Sequence, residues 1–193
     1  MTRSETADLV ELRPSQTTDS MTDDGLIAAC ATGDRAARAH LFERYVDDIH
    51  RFVLRMRGTD RDMVEDLVQI TFLSAFQAAG RFRGDNVRAW LYGIAANQVR
   101  DYARREVRRK RALVAVADIV PRASDPGSPS LVAHLPTAIE ALPHDLRAAL
   151  VLIDLEGERG RDAALALGVP EGTLWRRVHL ARKAVRVALG GEP

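Results

Sequence analysis

The segment LGVPEGTLWRRVHLARKAVR (Leu167–Arg186) has the build of a turn followed by a basic helix. Gly168 closes a short preceding helix, Val169–Thr173 form a turn, and a last helix runs from about Thr173 to Leu189. A short helix, a Gly-containing turn and a basic helix follow the helix-turn-helix plan. Thr173 is expected to cap the second helix, whose first backbone amides can meet a phosphate. The exposed side of that helix offers Trp175, Arg176, Arg177, His179, Arg182 and Lys183. Arginine binds guanine edges bidentately, and the others suit phosphates. The same pattern also fits a solvated basic face on an ordinary helical hairpin.

Upstream, Pro143 suits the first turn of a helix that buries Leu146, Ala149, Leu150 and Ile153 before Gly157 breaks it. Residues 112–134 differ: Pro121, Pro126, Gly127 and Pro129 mark a flexible linker. From Asp23 to about Arg111 the helical period is strong again. Phe42, Tyr45, Val46, Ile49, Phe52, Val53 and Met56 recur every three or four residues, predicting one buried face of a long helix. Gly58 ends it and Thr59/Asp60 start the next, with Val64, Leu67, Val68, Thr71, Phe72, Ala75 and Phe76 as its buried stripe. Gly80, Gly84 and Asp85-Asn86 mark a loop and an N-cap. A fourth helix buries Val87, Leu91, Ile94, Ala95, Val99 and Tyr102. Trp90 fits the same stripe, so it reads as core, with stacking on an opened strand as the other use of Trp90 and Tyr92.

No strand pattern appears, so the fold class is all-α: two small helical domains joined by a flexible linker, the C-terminal one a helix-turn-helix. The expected divisions are a tail over 1–21, a first domain over 22–111, a linker over 112–134 and a second domain over 135–189. Met21 precedes Thr-Asp-Asp, a good helix start, and is an alternative translation start.

A formal net charge of +1 hides a local imbalance. Arg100, Arg104, Arg105, Arg108, Arg109, Lys110 and Arg111 face only Asp101 and Glu106 across the same stretch. Arg176, Arg177, Arg182, Lys183 and Arg186 form a second cluster without an acid. Two basic patches on a near-neutral chain suit localised contact with a polyanion. On the third helix, Glu65, Asp66 and Gln69 accompany Ile70 and Leu73, which lie off the buried stripe. Apolar residues exposed beside acids suit a protein-docking surface, and a more widely buried core helix is the alternative.

Other classes find no support. The single cysteine, Cys30, precludes an intramolecular disulfide and fits a reducing cytoplasm. No apolar run is long enough to span a bilayer, and the N-terminus lacks the apolar core of a signal peptide. The five histidines have no metal-ligand spacing, so neither a metal nor a cofactor is expected. GRFRGD lacks both a preceding strand and a Lys-Ser/Thr pair, so it is not a phosphate loop.

Together these pieces resemble the extracytoplasmic-function (ECF) class of bacterial RNA polymerase sigma factors. DLVQITFLSAF (Asp66–Phe76) is similar to that family's polymerase-docking helix. WLYGIAANQVRDYARRE (Trp90–Glu106) is similar to the helix after its promoter-melting loop. LPHDLRAALVLIDLEG (Leu142–Gly157) and Leu167–Arg186 look like its C-terminal helix-turn-helix.

The resemblance implies a non-catalytic initiation factor in which Asp66, Gln69, Thr71 and Phe72 meet the clamp helices of the largest subunit of core RNA polymerase. It implies that Asn86, Arg88, Trp90, Asn97, Arg100 and Arg104 capture a flipped base of the minus-ten element. Thr173, Trp175, Arg176, Arg177, His179, Arg182 and Lys183 would read the minus-thirty-five element. The linker would thread through the polymerase, the flap would be a further contact, and an anti-sigma factor is an implied partner.

Three departures stand out. Arg159-Gly160-Arg161-Asp162-Ala163 replaces a usual Ser-Tyr-acid-acid-Ile run, Trp175 replaces a small polar or basic residue, and Ile70 replaces an acid. The departures at Gly160 and Trp175 keep in play a decoy that docks polymerase without promoter activity; a helix-turn-helix regulator that binds duplex DNA without polymerase is another reading, against which the acidic-apolar third helix argues.

Overall fold

The computed structural model describes residues 21–58, 60–114 and 131–190. Eight α-helices lie within them: α1 (Asp23–Ala31), α2 (Arg35–Arg57), α3 (Arg61–Ala78), α4 (Val87–Val114), α5 (Leu131–Glu140), α6 (His144–Leu150), α7 (Gly160–Ala166) and α8 (Glu171–Ala188). No strand occurs among the described residues. The expected N-terminal tail, except Met21, and the Pro- and Gly-bearing centre of the expected linker lie outside them. Residues 112–114 and 131–134, expected as linker, are helical, because α4 and α5 each continue past the charge and proline signals that suggested their ends.

Side-chain caps set the starts of the N-terminal helices. Thr22 Oγ1 accepts from the Gly25 amide at 3.3 Å, Asp34 Oδ1 from Ala36 at 2.8 Å, and Asp60 Oδ1 from Met63 at 3.3 Å. Asn86 Oδ1 accepts from the Ala89 amide at 2.9 Å at the head of α4. Gly58, at φ 82°, closes α2 in the left-handed region.

The four N-terminal helices bury Leu26, Leu41, Tyr45, Ile49, Phe52, Val53, Met56, Val64, Leu67, Phe72, Leu91, Tyr92 and Val99. Two expectations need correction. Phe42 is 38% exposed and packs edge-on against Phe72 (ring centroids 4.8 Å apart) from the rim, while its neighbour Leu41 takes the core position. Tyr102 is likewise exposed, lying under the Arg57 guanidinium at 5.2 Å.

In the C-terminal half, α6 packs on α8 and α7 packs against α8. Leu150, Val151, Leu152, Ala163, Leu174, Val178 and Ala181 fill this core. The helix α6 does not stop at Leu150 but widens into a π turn over Val151–Leu155. Gly157, at φ 70°, then reverses the chain. Pro170 precedes α8 without a side-chain cap, and Thr173 lies inside its first turn, its amide donating to the Pro170 carbonyl at 2.9 Å. The expected Thr173 cap is thus displaced: the helix begins at Glu171, because Pro170 fixes the backbone entry.

The two halves pack on each other, with α7 crossing α4 and the π turn and α5 and α6 meeting α2. One continuous apolar cluster runs from Leu26 to Val185.

Candidate polymerase and nucleic-acid interface

Helix α3 presents one surface. Glu65, Asp66 and Gln69 are exposed, with Ile70 42% and Leu73 59% exposed beside them. Two side chains expected to join this surface do not reach it. Thr71 is fully buried, its hydroxyl donating to the Leu67 carbonyl at 2.7 Å, and Phe72 is 2% exposed. Both stand on the opposite side of the helix, the side that the core requires; Ile70 and Leu73 take their place on the outer face.

Helix α4 carries the second surface. A cleft of about 320 Å³ lies at its head, lined by the Arg81–Asn86 loop, Trp90, Ile94, Asn97 and, from the C-terminal half, Asp162 and Leu165. Trp90 is half-buried and packs on Phe82, ring centroids 5.1 Å apart, so one indole serves both core and cleft wall. Tyr92 is not a stacking residue: it is fully buried, and its hydroxyl donates to Glu156 Oε2 at 3.0 Å. Burial, and then the Glu156 charge, push its phenol pKa up.

Asn97 is exposed on the cleft, Arg100 donates to Asn97 Oδ1, and Arg104 is exposed one turn beyond. Arg105, Arg108, Arg109 and Arg111 extend this charge along the far half of α4. The stripe Asn97, Arg100, Arg104, Arg108 keeps a three- to four-residue spacing, which places it on one face.

Two residues at the head of α4 are already engaged. Asn86 Nδ2 donates to Glu158 Oε2 and to Asp162 Oδ2, both at 3.0 Å. Arg88 Nε donates to Glu158 Oε1 at 2.7 Å. Burial is the largest influence and works against the Arg88 charge, but the Glu158 carboxylate, Tyr92 and Asp48 together outweigh it and hold the guanidinium pKa above its ordinary value. Sequence reasoning missed these partners, because Glu158 lies about 70 positions away on a loop with no motif.

Helix α8 carries the third surface. Leu174, Val178, Ala181 and Val185 face inward. Arg176, His179 and Lys183 share one outward stripe, with exposed Thr173 beside it. Arg177 and Arg182 lie on the flanks, where they pair with their own domain: Arg177 Nη2 with Asp145 Oδ2 at 3.0 Å, and Arg182 with both oxygens of Asp154 at 2.9 and 2.6 Å. Trp175, 45% exposed, donates from Nε1 to Glu171 Oε1 at 3.2 Å and lies against Gly160.

Among the described residues no group of three or more His, Cys, Asp or Glu converges as a metal site, and no helix is long and apolar enough to cross a membrane.

An acidic-apolar face on α3, a basic stretch of α4 and a basic outward face on α8 thus stand on one all-α chain. The Sigma-70 region 2 family model matches residues 41–109, and the Sigma-70 region 4 model matches residues 134–185. The ECF RNA polymerase sigma factor SigE of Mycolicibacterium smegmatis is 35% identical over 167 residues, covering 81% of this chain and 64% of that protein. SigM of Mycobacterium tuberculosis is 35% identical over 169 residues, covering 87% of this chain and 85% of that protein. This chain thus spans slightly less than two thirds of the first relative's length. Among solved structures, the sigma factor RpoE in complex with the anti-sigma factor NepR from Bartonella quintana superposes with a TM-score of 0.63 at 26% identity, over 80% of this chain and 98% of that one. The chain belongs to the extracytoplasmic-function family of RNA polymerase sigma factors.

Proposed function

We propose that this chain directs core RNA polymerase to promoters through three surfaces and acts by binding rather than by catalysis. The exposed face of α3, with Asp66, Gln69, Ile70 and Leu73, is the polymerase-docking surface; Thr71 and Phe72 support it from beneath. The head of α4, with Asn86, Arg88, Trp90, Asn97, Arg100 and Arg104, takes the opened minus-ten strand and an extruded base. The outward stripe of α8 reads the minus-thirty-five duplex, Arg176, His179 and Lys183 from its centre and Thr173, Trp175, Arg177 and Arg182 from its edges. In this reading a first domain over 22–111 takes the minus-ten element and a second over 135–189 takes the minus-thirty-five element.

The single observation that carries the reading is the co-occurrence, on one chain of the sigma family, of an exposed acidic-apolar helix face and two separate basic helix faces. An anti-sigma factor is a natural partner, since the RpoE relative is solved bound to one. The cytoplasm, where RNA polymerase works, is the corresponding compartment. Run-off transcription with purified core polymerase tests the proposal. The chain should confer transcription from a subset of genomic fragments, and Asn97→Ala/Arg100→Ala/Arg104→Ala should abolish it while leaving polymerase binding intact. Transcription undiminished by that triple change would overturn the assignment of α4.

A further inference from the structure

The outward face of α8 is not wholly polar. Leu174, Val178, Ala181 and Val185 hold the inner side of the helix. At about 3.6 residues per turn, the side opposite them runs through Arg176, Leu180 and Lys183. Leu180 is 42% exposed there and stands outside the apolar cluster of the core. Arg176 and Lys183, one turn to either side of it, are exposed as well. His179 shares this face, while Trp175 lies nearer the flank. Arg177 and Arg182 are tied to Asp145 and Asp154. Of Arg176, His179, Leu180 and Lys183, only Leu180 can neither donate nor accept a hydrogen bond.

A single exposed leucine is ordinary on a protein surface. The position of Leu180 sets it apart: it is centred between two cations on the helix that faces a duplex. A face that attracts a polyanion and carries one apolar group in its middle fits the major groove, where thymine presents a methyl group and no other base of the four does.

We infer that Leu180 is a specificity-determining residue for the minus-thirty-five element: its side chain packs on the 5-methyl group of one thymine. The inference rests on the minus-thirty-five reading of α8. Selection works in two directions. On thymine, leucine buries methyl against methyl and removes both from water. In the same place, a cytosine amino group or the O6 and N7 acceptors of guanine would lose water and gain no partner. Leu180 therefore discriminates by what it leaves unsatisfied as well as by what it covers.

The helix also sets where that thymine lies. Leu180 follows Arg176 by one turn, about 6 Å along the axis, and successive bases of a strand are about 3.4 Å apart. The thymine therefore falls within about two base pairs of the base that Arg176 contacts.

The test uses the full chain with core polymerase on a footprinted promoter fragment, its upstream thymines replaced singly by uracil. Uracil keeps the base pairing and removes only the methyl group. The Arg176 contact is located as the base whose preference disappears in Arg176→Ala. With the wild-type chain, uracil at one thymine within about two base pairs of that base should weaken binding about fourfold, the change for one buried methyl-sized group. Leu180→Ala should bind the thymine and uracil forms of that site equally, and Leu180→Met should keep most of the sensitivity. The readout is a ratio within each variant, so a change in the folded fraction cancels. Three results would overturn the inference: a wild-type chain indifferent to uracil at every position, an element without thymine near the Arg176 contact, or a Leu180→Ala chain as sensitive as wild type. Arg176→Ala separates this from the underlying reading. If it weakens binding to the upstream element while the uracil scan is silent, the α8 reading stands and the role of Leu180 falls. If Arg176→Ala and every uracil leave binding unchanged, the α8 reading falls, and the role of Leu180 with it.

Discussion

Trp175 and Gly160 fit each other: a Cβ on Gly160 would stand 2.7 Å from Cζ2 of the Trp175 indole and 2.8 Å from Glu171 Oε1. The two departures of the helix-turn-helix from its family pattern are therefore one feature. Glycine at the head of α7 makes room for an indole on α8, and Glu171 holds that indole by a hydrogen bond of 3.2 Å. Seen this way, they no longer favour a decoy over a promoter-reading domain.

Gly160→Ala tests this fit against helix propensity. Alanine alone would favour α7 by up to about 1 kcal/mol, but overpacking against the indole costs about 1–3 kcal/mol. The expected net effect is destabilisation, relieved when Trp175→Ala is added, with a coupling of about 1 kcal/mol or more in a double-mutant cycle by urea unfolding. Additive effects would show that the two residues do not press on each other.

On α3, inner and outer faces should separate cleanly. Phe72→Ala removes a buried ring and is expected to cost about 3–5 kcal/mol in unfolding free energy. Leu73→Asp, on the exposed face, should leave stability within about 0.5 kcal/mol and weaken binding to core polymerase at least tenfold. Polymerase affinity unchanged by Leu73→Asp would remove α3 from the docking surface.

His144 gives the fold a pH dependence. Burial lowers its pKa from 6.5 to about 4; Arg100, Arg147 and Arg104 act in the same direction and Asp145 opposes them. The folded chain therefore binds this proton less readily than the unfolded chain does. Stability is highest above pH 6.5 and falls as pH drops from there toward 4. Discounted for the solvent that reaches the ring, the loss is about 1–2 kcal/mol. Urea unfolding at pH 7.5 and 5 should show a shallower decline for His144→Gln than for wild type; parallel declines would assign the effect to other groups.

On α8, Arg176 and Arg182 should behave differently. Arg176→Ala on the outward stripe should lower minus-thirty-five binding by about 1–3 kcal/mol. Arg182→Ala, whose side chain is tied to Asp154, should act more weakly and through domain stability. Titration of a protected promoter fragment at two salt concentrations checks both; a larger loss from Arg182→Ala than from Arg176→Ala would place the edge of α8, not its centre, in the groove.

Much of the fold follows from local signals. The caps at Thr22, Asp60 and Asn86 and the glycine stops at Gly58 and Gly157 are set by residues within one turn, so a linear reading finds them. Thr71 and Phe72 show the limit for site residues. Both belong to the apolar stripe of α3, and resemblance alone assigned them a partner although their spacing already turned them inward. Phe42 and Leu41 are adjacent, and only the packing of α3 against α2 decides which is buried. The Glu158–Arg88 and Glu156–Arg55 pairs join residues far apart in the chain, with no periodicity to announce them. Gly93 reads locally as a helix defect, and its purpose becomes visible only once the Ala166 carbonyl stands over it.

Footprinting of genomic promoter fragments with the purified chain and core polymerase, together and separately, tests the central claim most directly. The sigma reading predicts no stable footprint from the chain alone. It predicts protection by the complex at two elements about two helical turns apart, with thymines of the downstream element reactive to permanganate. Protection of duplex DNA by the chain alone, unchanged on adding polymerase, would contradict it.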